Sequence, residues 1–214
     1  MRRYALAMVL CLALVVAGCA NRQGDRTLTY KGAIEEGVGI GARIPGSDIQ
    51  LVSIGEDGAR LLIDDQPAVK KMGDSLDWSG APVPGVHVVV TQRVLWLGTD
   101  KMQTGGVVTL TVSDALPQPA VYPDKPSLEY HVATTYTVRR GQTIPGTLVS
   151  YVGKNDAGAE LAGVSGYPYR KLGDSIGWSG RLRNNVFVDE TLRVIAYTDD
   201  FLQVAGLAKI GLTE

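Results

Sequence analysis

Histidine and cysteine are nearly absent, with two of each in 214 residues. The histidines, His87 and His131, are too few for a zinc cluster. Cys11 lies in the N-terminal apolar run, which leaves Cys19 as the one thiol beyond it and no disulfide within the mature chain. An excess of one charge is also missing. The formal net charge is −1, so no global field draws the chain to nucleic acid, and none is expected as a partner. Sustained apolar spacing at i, i+3, i+4 is absent, so helices should be few. No Gly-x-Gly-x-x-Gly, Walker or Asp-x-Asp-x-Asp-Gly pattern occurs, and no cofactor or metal is expected. The carboxylate pairs Asp64-Asp65, Asp189-Glu190 and Asp199-Asp200 read as solvated turns.

What is present is repetition. Lys71-Met72-Gly73-Asp74-Ser75-Leu76-Asp77-Trp78-Ser79-Gly80 returns as Lys171-Leu172-Gly173-Asp174-Ser175-Ile176-Gly177-Trp178-Ser179-Gly180. At the same ungapped offset Ile44-Pro45-Gly46 meets Ile144-Pro145-Gly146, Gly58-Ala59 meets Gly158-Ala159, and Arg93-Val94 meets Arg193-Val194. Roughly three positions in ten are identical between the copies, which reads as a tandem duplication. The expected division is a signal peptide over 1–18, a tether over 19–27, a β-domain over 28–114, a proline-rich linker over 115–127 and a second β-domain over 128–214. Each copy is long enough for a small core of its own.

Each copy reads as β. The 26 glycines and 10 prolines, with scattered Val and Thr, favour short strands and many turns. Expected strands include Ile49 to Ile54, Ala59 to Ile63, Val86 to Leu97, Val107 to Val112 and Tyr130 to Val138. Asn/Asp/Gly clusters between apolar runs mark hairpins, because these residues accept a positive φ. The fold class is all-β, a tandem duplication of a small β-barrel or β-sandwich with five to seven strands per copy. The Ile-Pro-Gly copies are read as rigid corners, with Pro fixing φ and Gly permitting the unusual one.

Arg2 and Arg3 precede an apolar run from Tyr4 to Val16, which ends Val16-Ala17-Gly18-Cys19. Small residues before a cysteine resemble the bacterial lipoprotein cleavage box. That resemblance implies acylation of Cys19 as the mature N-terminus and attachment to a membrane through lipid, without a spanning helix. Ala20 after the cysteine implies the outer membrane in a host with two membranes, and the outer face of the cell membrane otherwise.

Gly73-Asp74-Ser75-Leu76 resembles the nucleophile block of the GDSL esterases and lipases, where the Ser attacks an ester. In that family the block follows the first strand of an α/β fold, and a late Asp-x-x-His supplies the base. This chain departs from the pattern. Val69-Lys70-Lys71-Met72 is a poor buried strand, and neither histidine has an Asp three positions earlier. Gly173-Asp174-Ser175 is accompanied by Phe187 where the first copy has His87. A hydroxyl needs a base in reach to become a nucleophile. The structural reading is therefore preferred for Gly73, Asp74, Ser75, Trp78, Gly173, Asp174, Ser175 and Trp178. The polar residues would bond their own turn, and the tryptophans would anchor the core.

The copies differ most around this loop. The second carries Tyr167, Tyr169, Arg170, Arg181, Arg183 and Asn184, a composition common in recognition surfaces. The leading expectation is a non-enzymatic binding or assembly module of the cell envelope with a protein or glycan ligand. The alternatives are an envelope hydrolase using Ser75 and a membrane-tethered structural spacer.

Overall fold

A computed structural model of the chain describes residues 26–213. The expected signal segment, Cys19 and most of the tether lie outside the described residues. The described chain is all-β and contains no helix. The first repeat supplies β1 (Leu28–Gly39), β2 (Ile49–Gly55), β3 (Gly58–Ile63), β4 (Gln66–Lys70), β5 (Trp78–Gly80), β6 (Val86–Leu97) and β7 (Lys101–Val112). The linker holds β8 (Gln118–Pro119). The second repeat supplies β9 (Leu128–Arg139), β10 (Ser150–Asn155), β11 (Gly158–Ala162), β12 (Tyr169–Arg170), β13 (Ser175–Arg183), β14 (Val186–Tyr197) and β15 (Phe201–Leu212). The three long strands β1, β6 and β7 recur 100 positions later as β9, β14 and β15.

The strands form antiparallel sheets in sandwich fashion. The large sheets run β1-β7-β6-β5 and β8-β13-β14-β15-β9, and the small ones β2-β3-β4 and β10-β11-β12. Period-two patterning explains the burial. In β6 the inward row is Val86, Val88, Val90, Gln92 and Val94, and in β14 it is Val186, Val188, Glu190, Leu192 and Val194.

Each inward row covers two cores. One half of every long strand packs under its own small sheet. Val38, Leu51, Leu61, Leu76, Val94 and Met102 make that lateral cluster in the first repeat. Val138, Tyr151, Leu161, Ile176, Val194 and Leu202 make it in the second. The other halves meet each other. Tyr30, Val86, Val88 and Leu110 from the first repeat join Tyr130, Val186, Val188 and Ile210 from the second in one central cluster. The largest core is therefore shared between the repeats, beside the smaller core that each keeps to itself. Trp78 and Trp178 are half-buried, each between the central cluster and its own lateral one. Gly80 and Gly180 leave room for these rings to lie along the strand.

The Ile-Pro-Gly corners hold the repeats together. The N–H of Ser47 donates to Ile44 O (3.0 Å), and Gly46 has φ 77°, a type II turn with Pro at the second position. The Ser47 hydroxyl closes the corner by bonding Ile44 O and the Ile49 N–H. Ile144 to Thr147 repeats the arrangement, with Gly146 at φ 81°. Each glycine lies against the other repeat: a Cβ on Gly46 would strike the Tyr130 hydroxyl, and one on Gly146 the Tyr30 hydroxyl. The edge strands β1 and β9 cross equally closely, since a Cβ on Gly32 would sit 2.5 Å from Ala133 O.

The linker is docked along the second repeat. The Leu116 N–H donates to Leu182 O (2.8 Å), and Gln118 and Pro119 pair with Arg181 and Gly180. The Tyr122 hydroxyl donates to Glu129 Oε2 (2.7 Å), which holds the Glu129 carboxyl below its ordinary pKa.

Candidate functional site

The repeated loop is a backbone clamp in both copies. The Asp74 carboxylate accepts from the Lys71 N–H (2.8 Å), and the Asp174 carboxylate accepts from the Lys171 N–H (2.7 Å). Gly73 and Asp74 bond the backbone of Val94, as Gly173 and Asp174 bond that of Val194. Gly73 (φ 88°) and Gly173 (φ 83°) supply the left-handed conformation that the turn requires. The side chain of Arg93 donates to Gly73 O (2.7 Å), and that of Arg193 to Gly173 O (2.9 Å). This explains why Arg-Val stands at the same offset as the loop. Leu76 and Ile176, which follow the two serines, plug the lateral cores.

Removing either arginine should therefore cost only its loop. Arg193→Ala is expected to lower the urea midpoint by the equivalent of about 1 kcal/mol, since one exposed charge-assisted bond is lost. Unchanged unfolding in Arg193→Ala would show that the clamp contributes nothing.

Neither histidine is a hydrogen-bond partner of Ser75 among the described residues. Ser75 is exposed, and it bridges to Arg93 on β6. His87 lies six residues further along that strand, roughly 20 Å away at strand rise. His131 is committed to Glu129, with Nε2 and Oε1 2.5 Å apart.

The recognition residues of the second repeat fall into two groups. Tyr167, Tyr169 and Arg170 come together with Ala157, Lys171, Asp174 and Ser175 around an open cleft of about 510 Å³. The two tyrosine rings meet edge to face, with centroids 5.3 Å apart at 68°. Tyr167 is 65 % exposed, so the core does not need its ring. Arg170 fixes the cleft wall. Its guanidinium donates to Ser175 O (3.0 Å), to Tyr169 O (2.9 Å) and to Tyr167 O. The cleft is thus lined by the two tyrosines, Ser175, Lys171 and Asp174, with Arg170 bonded to the backbone of its wall.

Arg181, Arg183 and Asn184 lie at the far end of β13, roughly 25 Å from Ser175 by strand rise. They do not extend the cleft. Arg181 holds the linker through Gln118 Oε1 (2.7 and 3.1 Å). Arg183 donates to Ser113 O and packs over Gly85 of the first repeat. Asn184 lines a shallow hollow with Asp114, Leu116 and Gln118. This end of the expected patch fastens linker and first repeat to the second.

Glu190, expected in a solvated turn, stands mid-strand in β14 with 1 % exposure. The Tyr136 hydroxyl donates to its Oε1 (3.2 Å), and Tyr30 faces the carboxyl from β1. Oε2 has no partner among the described residues. Burial pushes the pKa of Glu190 up to about 8, against the opposing pull of Tyr136 and Tyr30. Burial likewise raises both tyrosines. In the first repeat the same position is Val90, and the polar residue of the row is Gln92, bonded by the Thr104 hydroxyl (2.9 Å). The strict apolar alternation of β14 around Glu190 was the available signal of its burial.

Among the described residues no group of three or more His, Cys, Asp or Glu side chains could hold a metal ion. Compared with known protein families, with curated proteins and with solved structures, the chain finds no match.

Proposed function

We propose that the protein is a lipid-anchored, non-enzymatic binding or assembly module of the bacterial cell envelope. Its protein or glycan ligand is taken up in the Tyr167–Tyr169 cleft. The observation that carries this reading is the edge-to-face tyrosine pair, with Tyr167 exposed and Tyr169 half-buried, braced by the hydrogen bonds of Arg170. Exposed tyrosines give large, stiff contact area at low entropic cost, and their hydroxyls add hydrogen bonds. Pyranose C–H faces and apolar side chains both pack against such rings. A spacer has no use for this cleft, and the first repeat has Pro67, Ala68 and Val69 at the matching positions in place of the tyrosine pair. The lipobox-like Val16 to Cys19 supports anchoring at Cys19, which would concentrate the cleft at a membrane surface. The separation of Ser75 from His87 speaks against the esterase alternative.

The test is retention of envelope material by the lipidated protein after crosslinking in cells, with Cys19→Ala as the localisation control. Tyr167→Ala with Tyr169→Ala should lower retention at least about tenfold while the fold persists, as expected when two central aromatics are lost. A discrete protein or a glycan fraction that depends on the pair supports the reading. Retention indifferent to both tyrosines refutes it.

A further inference from the structure

The two repeats finish the same sheet differently. In the second, the outer edge of β13 is taken by the chain's own linker, where Gly180 pairs with Pro119 and Arg181 with Gln118. In the first, β5 is the last strand of its sheet, and among the described residues nothing pairs with its outer edge. Edge N–H and C=O groups are a template for another strand, and proteins usually cover or blunt them. Here the edge is short and is followed by Pro82 and Pro84, and among the described residues no strand covers it.

A cleft of about 510 Å³ runs along this edge. Its walls include Asp48, Asp64, Asp77 and Trp78, and no Lys or Arg. Asp77 uses one oxygen on the Gln92 N–H (3.2 Å), and Asp48 pairs with Arg43 at the rim (2.8 Å). Asp64 sits in the β3–β4 turn at φ 49°, and its side chain has no hydrogen-bond or ion-pair partner among the described residues. The first repeat as a whole is acidic, in contrast to the balanced second one.

We infer that the open edge of β5 is a strand-addition site for an extended, Lys- or Arg-bearing peptide segment of a partner protein. The segment would pair with Ser79 to Ala81 as Gln118 and Pro119 pair with β13. Its alternate side chains would enter the cleft, where a cation meets Asp64 and the free oxygens of Asp77 and Asp48. Main-chain pairing supplies affinity in this mode, and side-chain pockets supply selectivity. The site is separate from the tyrosine cleft and lies on the other repeat.

The probe is a short fluorescein-labelled peptide alternating Lys and Thr, titrated into the full chain in detergent and read by anisotropy. Two control peptides carry Glu for Lys, or backbone N-methylation at every second residue. The Lys peptide should bind, and both controls should bind at least about tenfold more weakly. Asp48→Asn with Asp64→Asn should weaken the Lys peptide severalfold without changing the thermal midpoint. Tyr167→Ala should leave its binding unaltered, which separates this site from the proposed one. Amide shifts at Ser79 to Ala81 should move on titration. Absence of saturable binding, equal binding of the N-methylated peptide, or shifts confined elsewhere would overturn the inference. So would β5 shifts that follow protein concentration alone, which would assign the edge to a second copy of the chain.

Discussion

At pH 9 the Glu190→Gln variant should be more stable than the parent by a few kcal/mol, and the gap should close towards about pH 5. The sign follows from linkage. An unfolded glutamate titrates at its ordinary 4.5, whereas burial raises the folded Glu190 to about 8. Between these values the folded protein holds a proton that the unfolded chain has released. Stability is therefore fully present below the unfolded pKa and falls as pH rises to the folded one, by at most about 1.4 kcal/mol per unit. The titratable groups facing the carboxyl are Tyr30 and Tyr136, both raised by burial, so neither titrates in this window. Gln keeps the shape and removes the charge. Urea unfolding of both proteins between pH 5 and pH 9 measures the effect. A parent whose stability is flat across that range would contradict the placement of Glu190.

Gly146→Ala should destabilise the whole protein by about 3 kcal/mol or more, combining a positive-φ penalty with displacement of a core ring. The added methyl meets the Tyr30 hydroxyl and lies 3.3 Å from Leu28 Cδ2, both in the other repeat. Gly46→Ala should behave alike, through Tyr130 and Leu128. Because Tyr30 and Tyr130 lie in the shared central core, each variant should shift a single unfolding transition for the entire chain. Loss of one half while the other stays folded would show that the central cluster does not couple them. Trp178→Ala should likewise lower the stability of the whole chain, since its ring touches both the central cluster and a lateral one.

Much of the fold was legible because its signals are local. Val86 to Leu97 is a strand by period two, and the structure places β6 over the same residues. Ile-Pro-Gly announces its turn because Pro fixes its own φ and Gly permits the positive φ that follows. The clamp formed by Asp74 was readable because an aspartate three residues after a lysine can reach back along its own turn. The shared core was not legible. Val86, Val88 and Val94 are equivalent in type, yet the first two face the other repeat and the third faces β2 and β3. Alternation fixes which face is buried, and it carries no information on what buries it.

The candidate site was legible in part for the same reason. Tyr167, Tyr169 and Arg170 are neighbours in sequence and remain so in space. Arg181 and Arg183 looked like the same surface, but their partners Gln118 and Ser113 are more than sixty positions away. Asp189-Glu190 suggested a turn because acidic pairs favour water. The Tyr30 and Tyr136 hydroxyls that face Glu190 come from two strands distant in sequence.

Whether the tyrosine cleft binds is read by site-specific photocrosslinking in intact cells, with a benzophenone side chain at position 167 and, as the control, at position 67. These positions match in the two repeats, but only the second carries the tyrosine cleft. A discrete crosslinked envelope partner or glycan fraction is expected from position 167, absent from position 67 and lost on Tyr169→Ala. Equal crosslinking from both positions, or none from position 167, would contradict the claim that the cleft is where this protein binds.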